Sequence, residues 1–334
     1  MLNLVLEAEG ISYQTSINEN IVIPTNLLPY GTQHVEIKNI EISPKASINR
    51  FVGEILQTSN SPIAMEVRAE DGNSIRTYQL RLNMEENQDF RKLLFEESTE
   101  SNCDLFSVIN ADEFRLENNA WNASNLPSNS YSQCIYKYDE NDLLLLGWQW
   151  SYPDNAYGVN AFPQIIYGWK PWQPNSSTEK LPIKISEINS LKASYEITVE
   201  RNSGDYNLSF DNWINSSANI APENILFEFM IWEDANNLVP FGDYIEDVNT
   251  SNGTYKFYMG EPDWEPEGSN WTYLAFQRTN HRQSGTVDID ELLQYLVEKE
   301  IISQDSYLAS IEFGNEVGNS KGESIIKKFE LDLN

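Results

Sequence analysis

The sequence is short of the residues that most often bind metals and phosphate. Its 334 residues include two histidines and two cysteines, which is too few for a multi-histidine or thiolate zinc site. Basic residues are scarce as well: 22 lysines and arginines stand against 51 aspartates and glutamates, a net charge of −29. A surface of that sign repels a phosphate backbone, so nucleic acid is excluded as a partner. The charge does not hinder binding of an uncharged partner.

Long apolar runs are missing too. No window of about 18 apolar residues occurs, so the sequence predicts no membrane-spanning helix. The beginning of the chain, Met1–Glu7, turns polar too early for the hydrophobic part of a secretion signal. Two interpretations stay open here: a cytosolic protein, or a protein whose leader is absent from this chain. A glycine-rich phosphate loop, a serine-nucleophile elbow and an HExxH motif are also absent from the sequence.

The aromatic residues are unevenly distributed, which indicates two domains. All nine tryptophans lie at or after Trp121. Residues 1–83 contain short alternating apolar runs separated by turn formers, and this pattern predicts a small antiparallel β-sandwich. Its last part, residues 69–82, weakly resembles the final hairpin of cadherin-like modules. The charged stretch 84–101 lacks strand alternation, and we interpret it as a linker, with a helical turn within it as an open alternative.

Residues 102–334 form the second predicted domain, which is all-β with a single helix. Nine short apolar runs predict strands, and only the segment from Asp288 to Ile302 has helical spacing. Asp288 or Asp290 stands where an N-cap is expected. Many strands, one helix and this length together predict a large sandwich or β-jelly roll.

One predicted strand, Ile225–Trp232, carries an acid in an otherwise apolar run. Alternation with a period of two places Glu228, Met230 and Trp232 on one face. The opposite face is apolar and must belong to the core, since it carries Phe227, Phe229 and Ile231. Because a buried carboxylate is costly, two interpretations compete: an edge strand with a wet polar face, or a carboxylate in a cleft floored by methionine and tryptophan.

Two further strands carry candidate acids. In 306–317, Glu312, Gly314 and Glu316 share a face, and the missing side chain of the glycine is expected to leave room for a ligand. Alternation alone does not choose between Glu312 and Glu316. In 206–213, Asp211 points away from the predicted core, although a turn former at a strand end would fit the same pattern.

Two carboxyl groups facing each other across a cleft suit hydrolysis of a glycosidic bond, in which one donates a proton and the other attacks or activates water. Aromatic side chains suit the same task because they stack on pyranose rings. Trp148 and Trp150 share one strand face, and Trp121 follows Asn118 and Asn119. The alternative for these tryptophans is core packing. The acidic run 261–268 is interpreted as a solvated turn, with calcium binding as the alternative.

These residues resemble glycoside hydrolase family 12, whose members are retaining β-1,4-glucanases and xyloglucanases with a β-jelly-roll fold. The resemblance covers about 102–334. The strand at 226–232 resembles the nucleophile strand of the family, and 313–316 resembles its acid/base segment with asparagine in place of threonine. The resemblance therefore implies that Glu228 is the nucleophile, Glu316 the acid/base, and Asp211 the residue that hydrogen-bonds the nucleophile.

The same resemblance extends to the substrate subsites and to the cysteines. Residues 118–122 and 148–151 resemble two substrate-binding segments, which implies that the chain contacts sugar through several residues: Asn118, Asn119, Trp121, Trp148, Trp150, Met230 and Trp232. Cys103 and Cys134 bracket the first segment, as a disulfide does in many members, with two buried thiols as the alternative. A disulfide implies an oxidising compartment, and hence a secreted, cell-surface or periplasmic protein.

The function implied is retaining endo-hydrolysis of a soluble β-1,4-glucan without metal or organic cofactor. It requires the two carboxyl groups about 5–5.5 Å apart. We expect a monomer that binds a β-glucan. The rival from another class is a carbohydrate-binding or adhesin protein that has lost catalysis on the same sandwich. Cellulose, mixed-linkage glucan and xyloglucan are not separated at this point, and the role of residues 1–83 is left open.

Overall fold

The computed structural model describes residues 2–8, 10–29, 32–83, 89–262 and 271–334, without the side chains of 202 and 203. The chain divides into two compact units, Met1–Asp89 and Phe90–Asn334. The boundary differs from the predicted linker 84–101, because everything from Phe90 onward belongs to the second unit. Residues 84–88 lie outside the described residues.

The first unit is built from eight strands in its described residues, in the sheet order β5-β7-β8-β3-β2-β1-β4-β6. Leu4 of the first strand and Met65 of the seventh are both fully buried in one shared core, so the two ends of this strand order fold over each other as a sandwich. The strands are β1 (Leu2–Ala8), β2 (Ile11–Asn18), β3 (Ile21–Pro24), β4 (His34–Ile42), β5 (Ser47–Ile48), β6 (Ile55–Gln57), β7 (Ile63–Arg68) and β8 (Ile75–Leu80).

The second unit packs two sheets against each other, as the jelly-roll prediction requires. Its elements begin with α1 (Phe90–Phe95), β9 (Glu100–Asn102), β10 (Val108–Ala111), β11 (Phe114–Glu117), β12 (Ser132–Glu140), β13 (Leu143–Ser151), β14 (Gln164–Gly168), β15 (Ile183–Lys184) and β16 (Leu191–Ser203). They continue with β17 (Tyr206–Asn215), β18 (Ile225–Asn236), β19 (Asp243–Thr250), β20 (Gly253–Gly260), β21 (Thr272–Arg278), β22 (Ser284–Asp288), α2 (Ile289–Glu298), β23 (Tyr307–Gly314) and β24 (Lys321–Leu333).

The larger sheet has the order β10-β11-β14-β23-β17-β18-β21-β20-β19, with β15 also paired to β23, and the smaller has the order β22-β16-β24-β13-β12-β9. We call them the ten-stranded and the six-stranded sheet. Their facing sides share a single apolar core, to which Phe210, Phe229 and Phe313 contribute from the ten-stranded sheet. The other side of that sheet is called the cleft face below.

Helix α2 is the amphipathic helix that the sequence predicts, and helix α1 corresponds to the helical turn left open within 84–101. Helix α2 begins after Asp288, whose carboxylate accepts a hydrogen bond from the backbone N–H of Glu291 at 3.2 Å, so the predicted N-cap is Asp288. Helix α1 lies in the stretch predicted as a linker. It packs Leu94 against Leu145 and Ile325 on the outer side of the six-stranded sheet, and this apolar contact explains why the segment is ordered.

Candidate active site

Three neighbouring strands bring the predicted acids to the cleft face. Strand β17 lies between β18 and β23, and its residues pair in register with both. Asp211 stands opposite Met230 on one side and opposite Glu312 on the other, while Trp213 stands opposite Glu228. Since Phe210, Phe229 and Phe313 point into the core, strand alternation directs these acids to the opposite face.

Glu228 is half-buried and is held by a tryptophan from the next strand. The indole Nε1 of Trp271 donates a hydrogen bond to Glu228 Oε2 at 3.0 Å. Trp271 immediately precedes β21, which runs parallel to β18. The rings of Trp271 and Trp213 meet edge to face with centroids 5.5 Å apart, and Trp172 closes the group 4.8 Å from Trp213. A neutral donor fixes the carboxylate here without neutralising its charge.

Glu316 follows the end of β23 and is bound by Asn207 of β17. The backbone N–H of Glu316 donates to Asn207 Oδ1 at 3.0 Å, and Asn207 Nδ2 donates to Glu316 Oε2. Removal from water raises the pKa of Glu316 to about 7, while the hydrogen bond from Asn207 acts in the opposite direction. A half-buried carboxyl with that pKa keeps its proton in mildly acidic solution and can donate it.

Asp211 is buried at the centre of the acidic group. Burial raises its pKa well above the usual range, and Glu228 and Glu312 raise it further, whereas Lys170 lowers it. The phenol of Tyr273 shows the same convergence, since burial and then the charges of Glu316, Glu228 and Asp211 raise its pKa. The charges of these acids therefore converge on one region of the cleft face.

The structure distinguishes the two acids of β23 that alternation left equivalent. Glu312 is fully buried; its Oε1 accepts a hydrogen bond from Ser310 Oγ at 3.0 Å and its Oε2 lies 3.4 Å from Lys170 Nζ. Burial is also the largest cause that raises its pKa to about 7. Only Glu316 of this pair is partly accessible, so it is the one that a substrate can reach.

Gly314 has a different role from the one predicted. A Cβ added at this position would lie 2.3 Å from the carbonyl oxygen of Pro163 and 2.8 Å from Gln164 Cβ. The space is filled by the neighbouring strand β14, not by a ligand. The glycine is needed because the two backbones approach closely.

Trp148 and Trp150 are placed in the core and not among the cleft residues, which corrects the expectation that they contact sugar. They are 0% and 3% exposed and belong to the cluster between the sheets. Their indole N–H groups donate to Asn315 Oδ1 and to Ser320 Oγ, each at 2.9 Å. Asn315 immediately precedes Glu316, so the hydrogen bond from Trp148 helps to hold the segment that carries this acid.

The other predicted subsite residues differ in exposure. Trp121 is 45% exposed and available for stacking. Asn118 is fully buried, and its amide donates to the carbonyl oxygens of Asp104 and Gln133 at 3.0 and 3.1 Å, which is a structural arrangement. Asn119 is also buried, and its carbonyl oxygen accepts from Gln133 Nε2 at 3.3 Å.

Met230 and Trp232 lie on the cleft face as alternation predicts. They are largely covered by Tyr273 and Ala275 of β21. The indole of Trp232 and the hydroxyl of Tyr273 both donate to Met230 Sδ, at 3.4 and 3.3 Å. These contacts leave Met230 and Trp232 only 1% and 3% exposed.

Two charged residues of the site were missed by sequence reasoning. Lys170 Nζ lies 2.8 Å from Glu117 Oε2, and both side chains are almost wholly buried beside Glu312. Glu117 ends β11, where one more acid in an acidic chain gives no signal. Lys170 does carry one, because it is a lone cation within the aromatic run 167–172.

The remaining predictions concern metals, membranes and the cysteines. Among the described residues no group of acids, histidines or cysteines could hold a metal ion. Most of the acidic run 261–268 lies outside those residues. In the same part of the chain, no helix is long and apolar enough to cross a membrane. Cys103 and Cys134 form a disulfide.

Comparison with known proteins agrees with this geometry. The model of Glycosyl hydrolase family 12 matches residues 112–334. The chain therefore belongs to glycosyl hydrolase family 12, and it is a retaining glycoside hydrolase. It is 26% identical over 227 residues to Endoglucanase S of Pectobacterium parmentieri, which covers 66% of this chain and 82% of that protein.

Two further relatives indicate the range of the family. A xyloglucan-specific endo-beta-1,4-glucanase A of Emericella nidulans is 23% identical over 220 residues, 64% of this chain and 82% of that protein. The solved structure of a native family 12 xyloglucanase from Bacillus licheniformis superposes with a TM-score of 0.64 at 26% identity. The match covers 70% of this chain and all of that one.

Proposed function

We propose that this protein is an endo-β-1,4-glucanase in which Glu228 is the nucleophile and Glu316 the acid/base. The observation that carries the proposal is the unequal treatment of two half-buried acids on one sheet face. Glu316 has its pKa raised to about 7 by burial, which suits a proton donor. Glu228 accepts a hydrogen bond from a neutral indole, a donor that does not neutralise the carboxylate.

In the proposed reaction Glu228 attacks the anomeric carbon while Glu316 gives its proton to the departing glucosyl oxygen. The glycosidic bond breaks and a glycosyl ester of Glu228 forms. Glu316, now ionised, then takes a proton from water as the water oxygen attacks the same carbon and releases Glu228. Two inversions give net retention.

Asp211 supports this cycle as a neutral acid. Burial and the neighbouring carboxylates raise its pKa, which favours the protonated form that can donate a hydrogen bond to Glu228. Such a bond stabilises the ionised nucleophile and the leaving carboxylate of the second step. The proposed subsites are completed by the exposed Trp121, whereas Met230 and Trp232, at 1% and 3% exposure, are too buried to contact sugar as predicted.

The substrate we propose is a soluble β-1,4-linked glucan. An uncharged polymer is compatible with the net charge of −29, and the names of the relatives favour xyloglucan as the first polymer to test. We also propose that residues 102–334 are catalytic and 1–83 accessory, and that the protein acts as a secreted or cell-surface monomer. The disulfide supports an oxidising compartment.

A reducing-sugar assay on xyloglucan, barley β-glucan and carboxymethylcellulose tests the activity, with product lengths to establish internal cleavage. Glu228→Ala should lower turnover by about 10²–10⁴-fold or more, as expected for loss of a positioned catalytic group. Glu246→Gln serves as the control, because Glu246 is a half-exposed acid on β19 that is bound to Lys299 and Tyr295 and lies outside the group of acids on β17, β18 and β23. If the native protein binds these glucans without cleaving any of them, the carbohydrate-binding alternative is correct.

A further inference from the structure

A buried lysine lies beneath the acids of the cleft face. Lys170 is 7% exposed, and its ammonium is 2.8 Å from Glu117 Oε2 and 3.4 Å from Glu312 Oε2. Gln164 Nε2 also donates to Glu117 Oε2, at 3.1 Å. Glu117 therefore has two donors on one oxygen, and the ammonium is shared between the two glutamates.

This group continues, strand by strand, to the proposed nucleophile. Lys170 follows β14, Glu312 lies on β23, Asp211 on β17 and Glu228 on β18, and these four strands are neighbours in the sheet. Glu312 and Asp211 are directly opposite each other in register. The lysine is thus connected to Glu228 through two buried acids, without touching the position of a substrate.

The positive and negative charges of Lys170 and the acids around it do not balance. Lys170 faces Glu117 of β11, Glu312 of β23 and Asp211 of β17, and the last of these also faces Glu228 and Glu316. Tyr273 of β21 faces Glu316, Glu228 and Asp211 as a neutral phenol. Within this group one ammonium stands against several carboxyl groups in a space removed from water, so part of the acids must hold protons.

We propose that Lys170 is a positioning residue of the catalytic centre, whose ammonium anchors Glu312 and thereby controls whether Asp211 holds its proton against Glu228. The inference rests on the proposed function of Glu228. The direction of the effect follows from Coulomb's law: a nearby cation favours ionised carboxylates and a nearby anion disfavours them. The pKa of Asp211 follows this rule, being lowered by Lys170 and raised by Glu312.

The test is the acid limb of the pH profile of kcat/KM on a soluble glucan, measured for Lys170→Met, Glu312→Gln and the double variant. Glu312→Gln removes the negative charge that Glu312 carries to the extent that it is ionised and leaves the ammonium, so the limb should move to lower pH. Lys170→Met should move it to higher pH, and the double variant should return toward the native position. Lys170→Arg keeps the charge and should keep the native limb even if its rate is lower.

Opposite movements of the two single variants support the proposal. It is overturned if either variant leaves the limb in place, or if both move it in the same direction, because a purely structural lysine would change the rate at all pH values alike. Lys327→Met is the matched control: it makes the same change in net charge on the six-stranded sheet, where Lys327 pairs with Glu196, and should leave the limb unchanged.

The folding of the variants and the activity of the native protein are measured alongside the pH profiles. If Lys170→Met does not fold, as judged by its unfolding temperature, then Glu312→Gln, which is nearly isosteric, decides the question together with Lys170→Arg. If the native protein cleaves no glucan, it is the proposed function that fails. If it cleaves glucan and the limb is insensitive to both positions, only the role of Lys170 fails.

Discussion

The two faces of the ten-stranded sheet surround their acids with different partners, and strand β18 carries one acid on each face. Glu228 points to the cleft face, where the acids outnumber their cationic partner. Glu233, five residues later, points to the core and is 0% exposed. There it accepts hydrogen bonds from the hydroxyls of Tyr195 and Tyr255, each at 2.7 Å, and from Arg282 Nε.

The difference in hydrogen-bond partners distinguishes a carboxylate that stabilises the fold from one that is available for chemistry. Glu233 has every oxygen satisfied by groups that stay donors, since burial and then Glu233 itself raise the pKa of Tyr195 and Tyr255. On the cleft face Asp211 Oδ1 has no hydrogen-bond partner among the described residues, and Glu312 Oε2 has only the ion pair with Lys170 at 3.4 Å. Unsatisfied buried acids cost stability, which a fold tolerates where the charge is used.

The largest expected effect is on the cleft face. Glu316→Ala should lower kcat/KM on a glucan polymer by about 10²–10⁴-fold, because proton donation to a poor leaving group is lost. Its unfolding temperature should be equal to or above that of the native protein, since a destabilising buried acid is removed. Turnover and calorimetry on the same preparation check both. A drop in unfolding temperature with unchanged turnover would give Glu316 the structural role assigned here to Glu233.

The converse variant lies on the core face. Glu233→Gln should destabilise by about 3–5 kcal/mol, because Arg282 then keeps a partly buried charge without its counter-ion. Its kcat at a temperature where it remains folded should stay within a few-fold of native. Denaturant unfolding and an assay at low temperature measure the two quantities. A variant as stable as the native protein would show that the core-face acid is dispensable and would break the comparison.

A smaller effect distinguishes the faces by pH. The folded pKa of Glu316 is about 7 against an ordinary 4.5, so between these values the folded protein holds a proton that the unfolded chain has released. This contribution to stability is present at low pH and is lost as pH rises through that window. Glu316→Gln should therefore flatten the fall in unfolding temperature between about pH 4.5 and 7. Glu246→Gln, which changes a half-exposed acid, should keep the native slope. Equal slopes for all three proteins would contradict the assignment.

Sequence alone predicted the faces of single strands better than the contacts between them. Period-two alternation placed Glu228, Met230 and Trp232 correctly on one side because that geometry is local. It did not separate Glu312 from Glu316, since their difference depends on Lys170, which lies more than a hundred residues earlier in the chain. Register across β17 decides which acids meet, and register is a property of paired strands.

The same limit explains the two tryptophans. Trp148 and Trp150 do share a face, as predicted, but alternation does not say which face of the six-stranded sheet is covered. Helix α1 packs on the outer side of that sheet, and the tryptophans point to the ten-stranded sheet. Alternation therefore predicts that the two tryptophans share a face of their strand. Only the packing of the second sheet shows that this face belongs to the core.

The smallest expected effect tests this correction by comparing an exposed and a buried tryptophan. Trp121→Ala should raise KM for glucan roughly fivefold, which corresponds to about 1 kcal/mol of lost stacking, and leave stability unchanged. Trp148→Phe should leave KM unchanged and lower stability by about 1–2 kcal/mol, because the hydrogen bond to Asn315 is lost in the core. Steady-state kinetics give KM for each variant, and denaturant unfolding gives the stability of each. If Trp148→Phe instead raised KM while remaining fully stable, that tryptophan would contact sugar and the cleft would extend through what is described here as core.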